Sequence, residues 1–205
     1  MIDFWPHVEH FKNTIKDTWL TPRGVVFSEG FALISLIRHF DIKLMIESGV
    51  AYGGSTELMA IGTNKPIIAI DTFQAYKDSY QYARQRLSKY NNVMLVQGDS
   101  TLKIPEILSS FKGDKIGLFI DGPKGSSAVN LAEELYFQDT RIKFICIHDI
   151  KYDSKQATRC KYVFNNIIFT DEPSGYFSDV RQDIDSYMLE LNKKLCKESK
   201  SSLTP

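Results

Sequence analysis

The reading of this chain turns on residues 46–60, Ile46-Glu47-Ser48-Gly49-Val50-Ala51-Tyr52-Gly53-Gly54-Ser55-Thr56-Glu57-Leu58-Met59-Ala60. An apolar run, KLMIE, enters a turn punctuated by Gly49, Gly53 and Gly54 and leaves as an amphipathic helix. Open α/β sheets build the floor of a nucleotide or nucleoside site in this way. Glycines at such a bend let the backbone turn tightly and approach a ligand with no Cβ in the way, and the helix start beyond it offers unpaired N–H groups. The spacing is GxxxGG rather than GxGxxG, and glycine-rich turns also occur where nothing binds, so the flanking chain has to decide.

Working outward, short apolar segments rich in β-branched residues recur at 43–48, 66–71, 92–97, 115–121, 143–149 and 166–171. Near-continuous apolar runs of this length fit strands buried on both faces, as in a parallel sheet. Helical patterns separate them at GSTELMAIG, at 76–90, at 100–111 with Pro105 in or near the first turn, and at SAVNLAEELYFQ. Two further helices precede the sheet, over about 6–19 and 28–40, the second opened by Ser28 with Glu29 nearby. After Asp171, EPSGYFSDV reads as a turn and a returning strand, hence a closing hairpin, with a helix through about residue 195. The expected fold is α/β: a doubly wound, mostly parallel, seven-stranded Rossmann-like sheet with a C-terminal β-hairpin and N-terminal helices. Residues 1–205 are expected to form one domain, with helices over 1–41, a core over 42–172, and a closing strand and helix over 173–205.

Composition narrows the partners. The 205 residues are 43% hydrophobic and carry 25 basic and 25 acidic side chains, so no electrostatic footprint for a phosphate backbone or an anionic membrane is present. The basic cluster Lys193-Lys194, Lys197 and Lys200 reads as a solvated helix end. Cys146, Cys160 and Cys196 are odd in number and lack CxxC spacing, which argues against a disulfide framework or a zinc site and fits a cytoplasmic compartment. The N-terminus lacks a signal-peptide pattern, and no apolar run nears the ~18 residues of a membrane span.

Polar residues fall at the strand ends, where ligands collect in open α/β sheets. They are Glu47-Ser48-Gly49, Asp71-Thr72, Gly98-Asp99-Ser100, Asp121-Gly122-Pro123-Lys124 and His148-Asp149. Asp71, about 20 residues beyond the glycine turn, stands where a carboxylate can accept from both hydroxyls of a ribose. Asp99 with Ser100 either touches a base edge or caps the helix that starts there. Tyr176 and Phe177, in the expected hairpin turn, are placed to meet a substrate.

In order and spacing, ESGVAYGGS, AID, QGDS and FIDGPKG resemble the nucleoside-site motifs of class I S-adenosylmethionine-dependent methyltransferases, over roughly residues 24–172. The resemblance implies that Glu47 and the Gly49 to Ser55 loop, with Ala51 and Gly53, face the methionine part of the cofactor. Asp71 would hold its ribose, Asp99 and Ser100 would lie by its adenine, and Ser48, Thr72 and Asp121 would complete the cofactor set. Within the class, the stretch from Pro22 to Thr56 is similar to the entrance of the small metal-dependent O-methyltransferases of the catechol and caffeoyl-CoA type. Those enzymes carry Asp-x-x-Lys after strand four, which places Asp121 as a ligand of Mg2+ or another divalent cation and Lys124 as the base for a substrate hydroxyl. After strand five the family has Asp-Asn, whereas this chain has His148-Asp149, as in sugar- and antibiotic-modifying relatives. Asp149 and His148 then join Asp121 as metal ligands, with a metal-free mechanism using His148 or Lys124 as base left open.

The resemblance implies a small-molecule methyl acceptor, with the N-terminal helices covering the pocket or pairing subunits in a homodimer. Two rivals stand beside it: an NAD-dependent oxidoreductase, for which GxGxxG is missing, and a methyltransferase-like domain that binds without turnover.

Overall fold

The computed structural model describes residues 2–15 and 25–201. Strands β1 (Leu44–Ser48), β2 (Ile67–Asp71), β3 (Val93–Gln97), β4 (Ile116–Ile120) and β5 (Ile142–Ile147) form one sheet in the order β3-β2-β1-β4-β5, with every pairing parallel. β1 and β4 are buried along their whole length, as continuous apolar runs demand, while β3 and β5, at the edges, are only partly covered. The chain leaves β1 toward β2 on one side and reaches β4 on the other, so the topological switch point lies between β1 and β4.

Helices cover both faces. Those on one side are α1 (Val8–Ile15), α2 (Phe27–His39), α3 (Gly54–Thr63), α4 (Ser79–Leu87) and α8 (Ser178–Ser201); their main core holds Phe11, Phe31, Ile34, Met59 and Phe177 beneath Met45 and Ile67 of the sheet. On the other, α5 (Ser100–Ser110) and α6 (Ser126–Gln138) bury Ile104, Leu131 and Leu135 against Ile46, Leu118 and Ile120. The alternation of Met45 and Ile46 between the two cores is the period of two of a strand covered on both faces. α2 and α3 meet through a reciprocal notch: a Cβ on Gly30 would overlap Leu58, and one on Gly62 would overlap Ile34.

The expected helices and the first five strands stand close to where the periodicity put them, with four departures. α2 begins at Phe27 and not at Ser28, which is buried; Glu29 closes the helix start by accepting from the Val26 N–H at 3.0 Å. Pro105 sits in the second turn of α5, on its exposed side. A helix that the periodicity missed, α7 (Lys155–Val163), follows β5, capped by Ser154 accepting from the Ala157 N–H.

The fourth departure concerns the sheet, which has five strands among the described residues instead of seven. Residues 166–171 are irregular: Asn166 takes a left-handed φ of 58°, Ile168 packs into the helix-side core, and Phe169 is buried against Tyr152. The apolar run that reads as a strand is spent on packing, a known ambiguity of short runs. No hairpin closes the sheet there. Val180 belongs to the helical series Val180, Ile184, Met188, Leu191 of α8, and Phe177 is fully buried against Phe4 and Phe31. Tyr176 packs beside Phe4, so neither aromatic lines the cleft described below. No helix among the described residues is long and apolar enough to cross a membrane. The end of the expected first helix, 16–19, lies outside the described residues.

Candidate functional site

At the carboxyl ends of the strands an open cleft of about 940 Å³ runs across the sheet. Its floor is the switch point itself. Gly49, with φ of +90°, follows β1 directly, and its N–H donates to the Ile70 carbonyl at 2.8 Å. The Asp121 and Gly122 N–H groups donate to the Ser48 carbonyl at 2.7 and 2.8 Å, while the Ser48 hydroxyl donates to the Gly122 carbonyl. A Cβ on Gly49 would stand 2.5 Å from Gly122 N, so only glycine lets the ends of β1 and β4 approach so closely.

Asp71, at the end of β2, fastens the glycine loop. Its Oδ2 accepts from the Val50 and Ala51 N–H groups at 2.7 and 2.8 Å, and its Oδ1 accepts from Phe73 N–H at 2.6 Å. Ala51 and Phe73 are both left-handed, with φ of 47° and 56°, and the carboxylate is what makes those turns tolerable. Asp99 is the N-cap of α5: its Oδ1 accepts from the Thr101 hydroxyl at 2.7 Å and from the Thr101 N–H at 2.9 Å, which together hold its carboxyl below the usual range. Gly49, Ala51, Asp71, Thr72, Asp99 and Ser100 all line this half of the cleft, together with Tyr52 and Tyr76, whose rings are 5.7 Å apart.

Glu47 lies elsewhere. It points from β1 to the helix side of the sheet, fully buried, where the Ser55 and Thr56 hydroxyls of α3 donate to its two oxygens. Burial pushes its carboxyl up to about 8. Glu47, Ser48, Gly53 and Ser55 do not line the cleft; Gly53 turns the chain into α3 in a left-handed conformation and packs on Leu87. Of the three acids expected to converge, Asp71 and Asp121 share the cleft and Glu47 sits beneath it.

The opposite half is made of charged side chains from β4 and β5. Lys124 Nζ donates to Asp121 Oδ1 and, at 2.8 Å, to Asp149 Oδ2. His148 Nδ1 is 2.7 Å from Asp121 Oδ1 and 3.3 Å from Asp149 Oδ1, and His148 Nε2 is 3.2 Å from Glu29 Oε2 of α2. Burial acts to lower His148, but hydrogen bonds to Asp121 and Glu29 overcome it and hold the ring at about 10. Burial likewise opposes charge on Lys124, and Asp121 and Asp149 reverse it, so this amine is raised as well. At neutral pH His148 and Lys124 are therefore both cations.

Asp121, His148 and Asp149 each offer one ligand atom, all within 4.8 Å of one another. Two hard oxygens and an imidazole nitrogen suit a divalent cation, and Lys124 Nζ lies between two of these groups. Sequence reasoning missed Glu29 here, because an acidic residue in a first helical turn is the ordinary preference of helix starts and carries no sign of a partner 119 residues away.

The all-parallel, doubly wound sheet with its cleft at the switch point defines a Rossmann-like α/β protein. No protein-family model and no curated protein matches the sequence. Solved structures do resemble it. An O-methyltransferase from Bacillus cereus in complex with SAH is 20% identical, with 65% of this chain and 59% of that one covered and a TM-score of 0.44. A SAH-bound methyltransferase of Podospora anserina is 16% identical, with 91% and 78% covered and a TM-score of 0.46. An O-methyltransferase from Streptomyces achromogenes involved in tomaymycin synthesis, in complex with SAM, is 16% identical, with 64% and 58% covered and a TM-score of 0.46. The match thus spans less than two thirds of the first and third of these chains.

Proposed function

We propose that the protein is an S-adenosylmethionine-dependent methyltransferase that transfers the methyl group to an oxygen of a small-molecule acceptor. The observation that carries this reading is the division of one cleft into two chemically different halves. One half, from the ends of β1 to β3, is a glycine loop fastened by Asp71, with aromatic rings and a helix start beside it. The other, from the ends of β4 and β5, is a cluster of acids and bases around Lys124. A nucleoside lies naturally in the first, and a hydroxyl to be deprotonated in the second.

Asp121 and Asp149 would hold a divalent cation together with His148. When bound, such an ion lowers the pKa of a coordinated hydroxyl. Lys124, whose Nζ lies against Asp121 and Asp149, would be the base that takes that hydroxyl's proton. Its pairing with Asp121 and Asp149 holds it cationic, so it can act as base only when those carboxylates turn away from it. To join that ligand set His148 would have to give up the Nδ1 proton that it holds as a cation between Asp121 and Glu29.

That pairing also favours a second reading, a methyltransferase-like domain that binds the cofactor without turnover, since both candidate bases are engaged as cations. Titration calorimetry with S-adenosylhomocysteine (SAH) and with NAD tests the cofactor. Binding of SAH and no heat with NAD is expected, and the reverse would end the proposal. Methyl transfer from labelled S-adenosylmethionine across a panel of hydroxylated acceptors, lost in Lys124→Ala, separates enzyme from binder.

A further inference from the structure

We propose that Glu29 is a positioning residue of the acceptor half of the cleft, fixing the His148 ring so that its Nδ1 faces Asp121, Asp149 and Lys124. This deepens the reading above and rests on it.

His148 needs such a device because of where it stands. It follows β5, an edge strand of the sheet, which is only partly covered along its length. A neighbouring strand therefore does not wall the ring in on the outer side among the described residues. Other contacts take its place: Phe119 of β4 meets the ring edge-on with centroids 6.1 Å apart, Asp121 and, at 3.3 Å, Asp149 stand at Nδ1, and Glu29 stands at Nε2. Phe119 limits where the ring lies but not which nitrogen faces the cleft. The carboxylates decide that, and only Glu29 comes from another layer of the fold.

Glu29 is itself held. The Oε2 that faces His148 also accepts from the Val26 N–H, so the start of α2 fixes the carboxylate in place. The adjacent Gly30 lies in the notch against Leu58 of α3, where α2 and α3 approach each other closely. A continuous series of polar contacts then runs from the Val26 N–H through Glu29, His148 and Asp121 to Lys124 and Asp149. A carboxylate on the far nitrogen of a histidine is a general means of fixing which ring atom is presented to a site. Here it crosses from the helix layer to the strand ends.

The test is long-range 1H–15N spectroscopy of the imidazole rings in the whole chain, with the His148 signals assigned from His148→Gln. Glu29→Gln keeps an oxygen able to accept from Val26 N–H but removes the charge at Nε2, and Glu29→Asp keeps the charge one methylene short. In both variants the His148 Nε2–H resonance is expected to shift and to exchange with water about tenfold faster, as expected for a weakened charge-assisted hydrogen bond. A merely structural role would lower the melting temperature and leave the ring signals unchanged, and that result overturns the inference. SAH affinity, read by calorimetry on the same samples, should stay within about twofold of wild type because Glu29 lies outside the nucleoside half. Unchanged rings in variants of a wild type that binds SAH would sink this inference alone. A wild type that binds no SAH while the rings respond would sink the methyltransferase reading and leave the Glu29–His148 link standing.

Discussion

At the β1 to β3 end of the cleft the fixed points are backbone amides: Gly49, Val50, Ala51 and Phe73 are held by a neighbouring carbonyl or by Asp71. At the β4 to β5 end they are the charged tips of Lys124, His148, Asp121 and Asp149, with Glu29 reaching in from α2. The first arrangement is a net of backbone hydrogen bonds that joins the ends of β1 and β2. The second rests on ion pairs between partly exposed groups, individually weak and easily rearranged. A site that must receive one ligand in a fixed pose and hand a proton about beside it gains from having both kinds of wall.

The contrast can be broken most severely at the floor the two halves share. Gly49→Ala places a Cβ 2.5 Å from Gly122 N at a φ of +90°, and it should cost about 3 kcal/mol in urea unfolding. Asp71→Asn comes next: one carboxylate serves three N–H groups, the amide cannot accept on its nitrogen, and about 2 kcal/mol should be lost. The same measurement on Lys124→Ala should show a much smaller change, and an equal loss would erase the distinction between the halves.

The subtlest effect is in the pH profile of the melting temperature. Glu47, raised to about 8, keeps in the native state a proton that the unfolded chain releases near 4.5, so stability is full below that pH and declines as pH rises toward 8. His148, held at about 10 against 6.5 when unfolded, contributes stability that is present below pH 6.5 and fades as pH climbs to 10. The slopes share a sign although the causes differ, a buried acid resisting ionisation and an imidazolium gaining partners. Glu47→Gln should flatten the lower window and His148→Gln the upper. Either variant leaving its window unaltered would show that the group does not titrate as its surroundings require.

Legibility in the sequence followed the same division. The five strands and the glycine loop declare themselves through periodicity and through residues a few positions apart; Asp71 reads as a partner for ribose hydroxyls, and its hold on the Val50, Ala51 and Phe73 N–H groups had no sign in the sequence. Asp121, Lys124, His148 and Asp149 were legible as a group because they follow the ends of two readable strands, β4 and β5. Glu47 lies within β1, short of the cleft floor at Gly49, and points to the helix side, where Ser55 and Thr56 hold it; the motif alone carries no sign of that direction. The strand expected at 166–171 failed because its isoleucines and Phe169 are as apolar when packed under a loop as when paired in a sheet. Glu29 was invisible in its role, since nothing local marks a side chain whose partner arrives only when layers stack.

The notch between α2 and α3 has an implication for how this protein can change over time. An added methyl at Gly30 would overlap the Leu58 tip and one at Gly62 the Ile34 side chain, so either those side chains or the helix pair must give way. Drift at Gly30, the residue next to Glu29, and at Gly62 is thereby coupled to the tuning of the cleft, so that a tight steric tolerance in the helix layer doubles as a dial on an ionic wall.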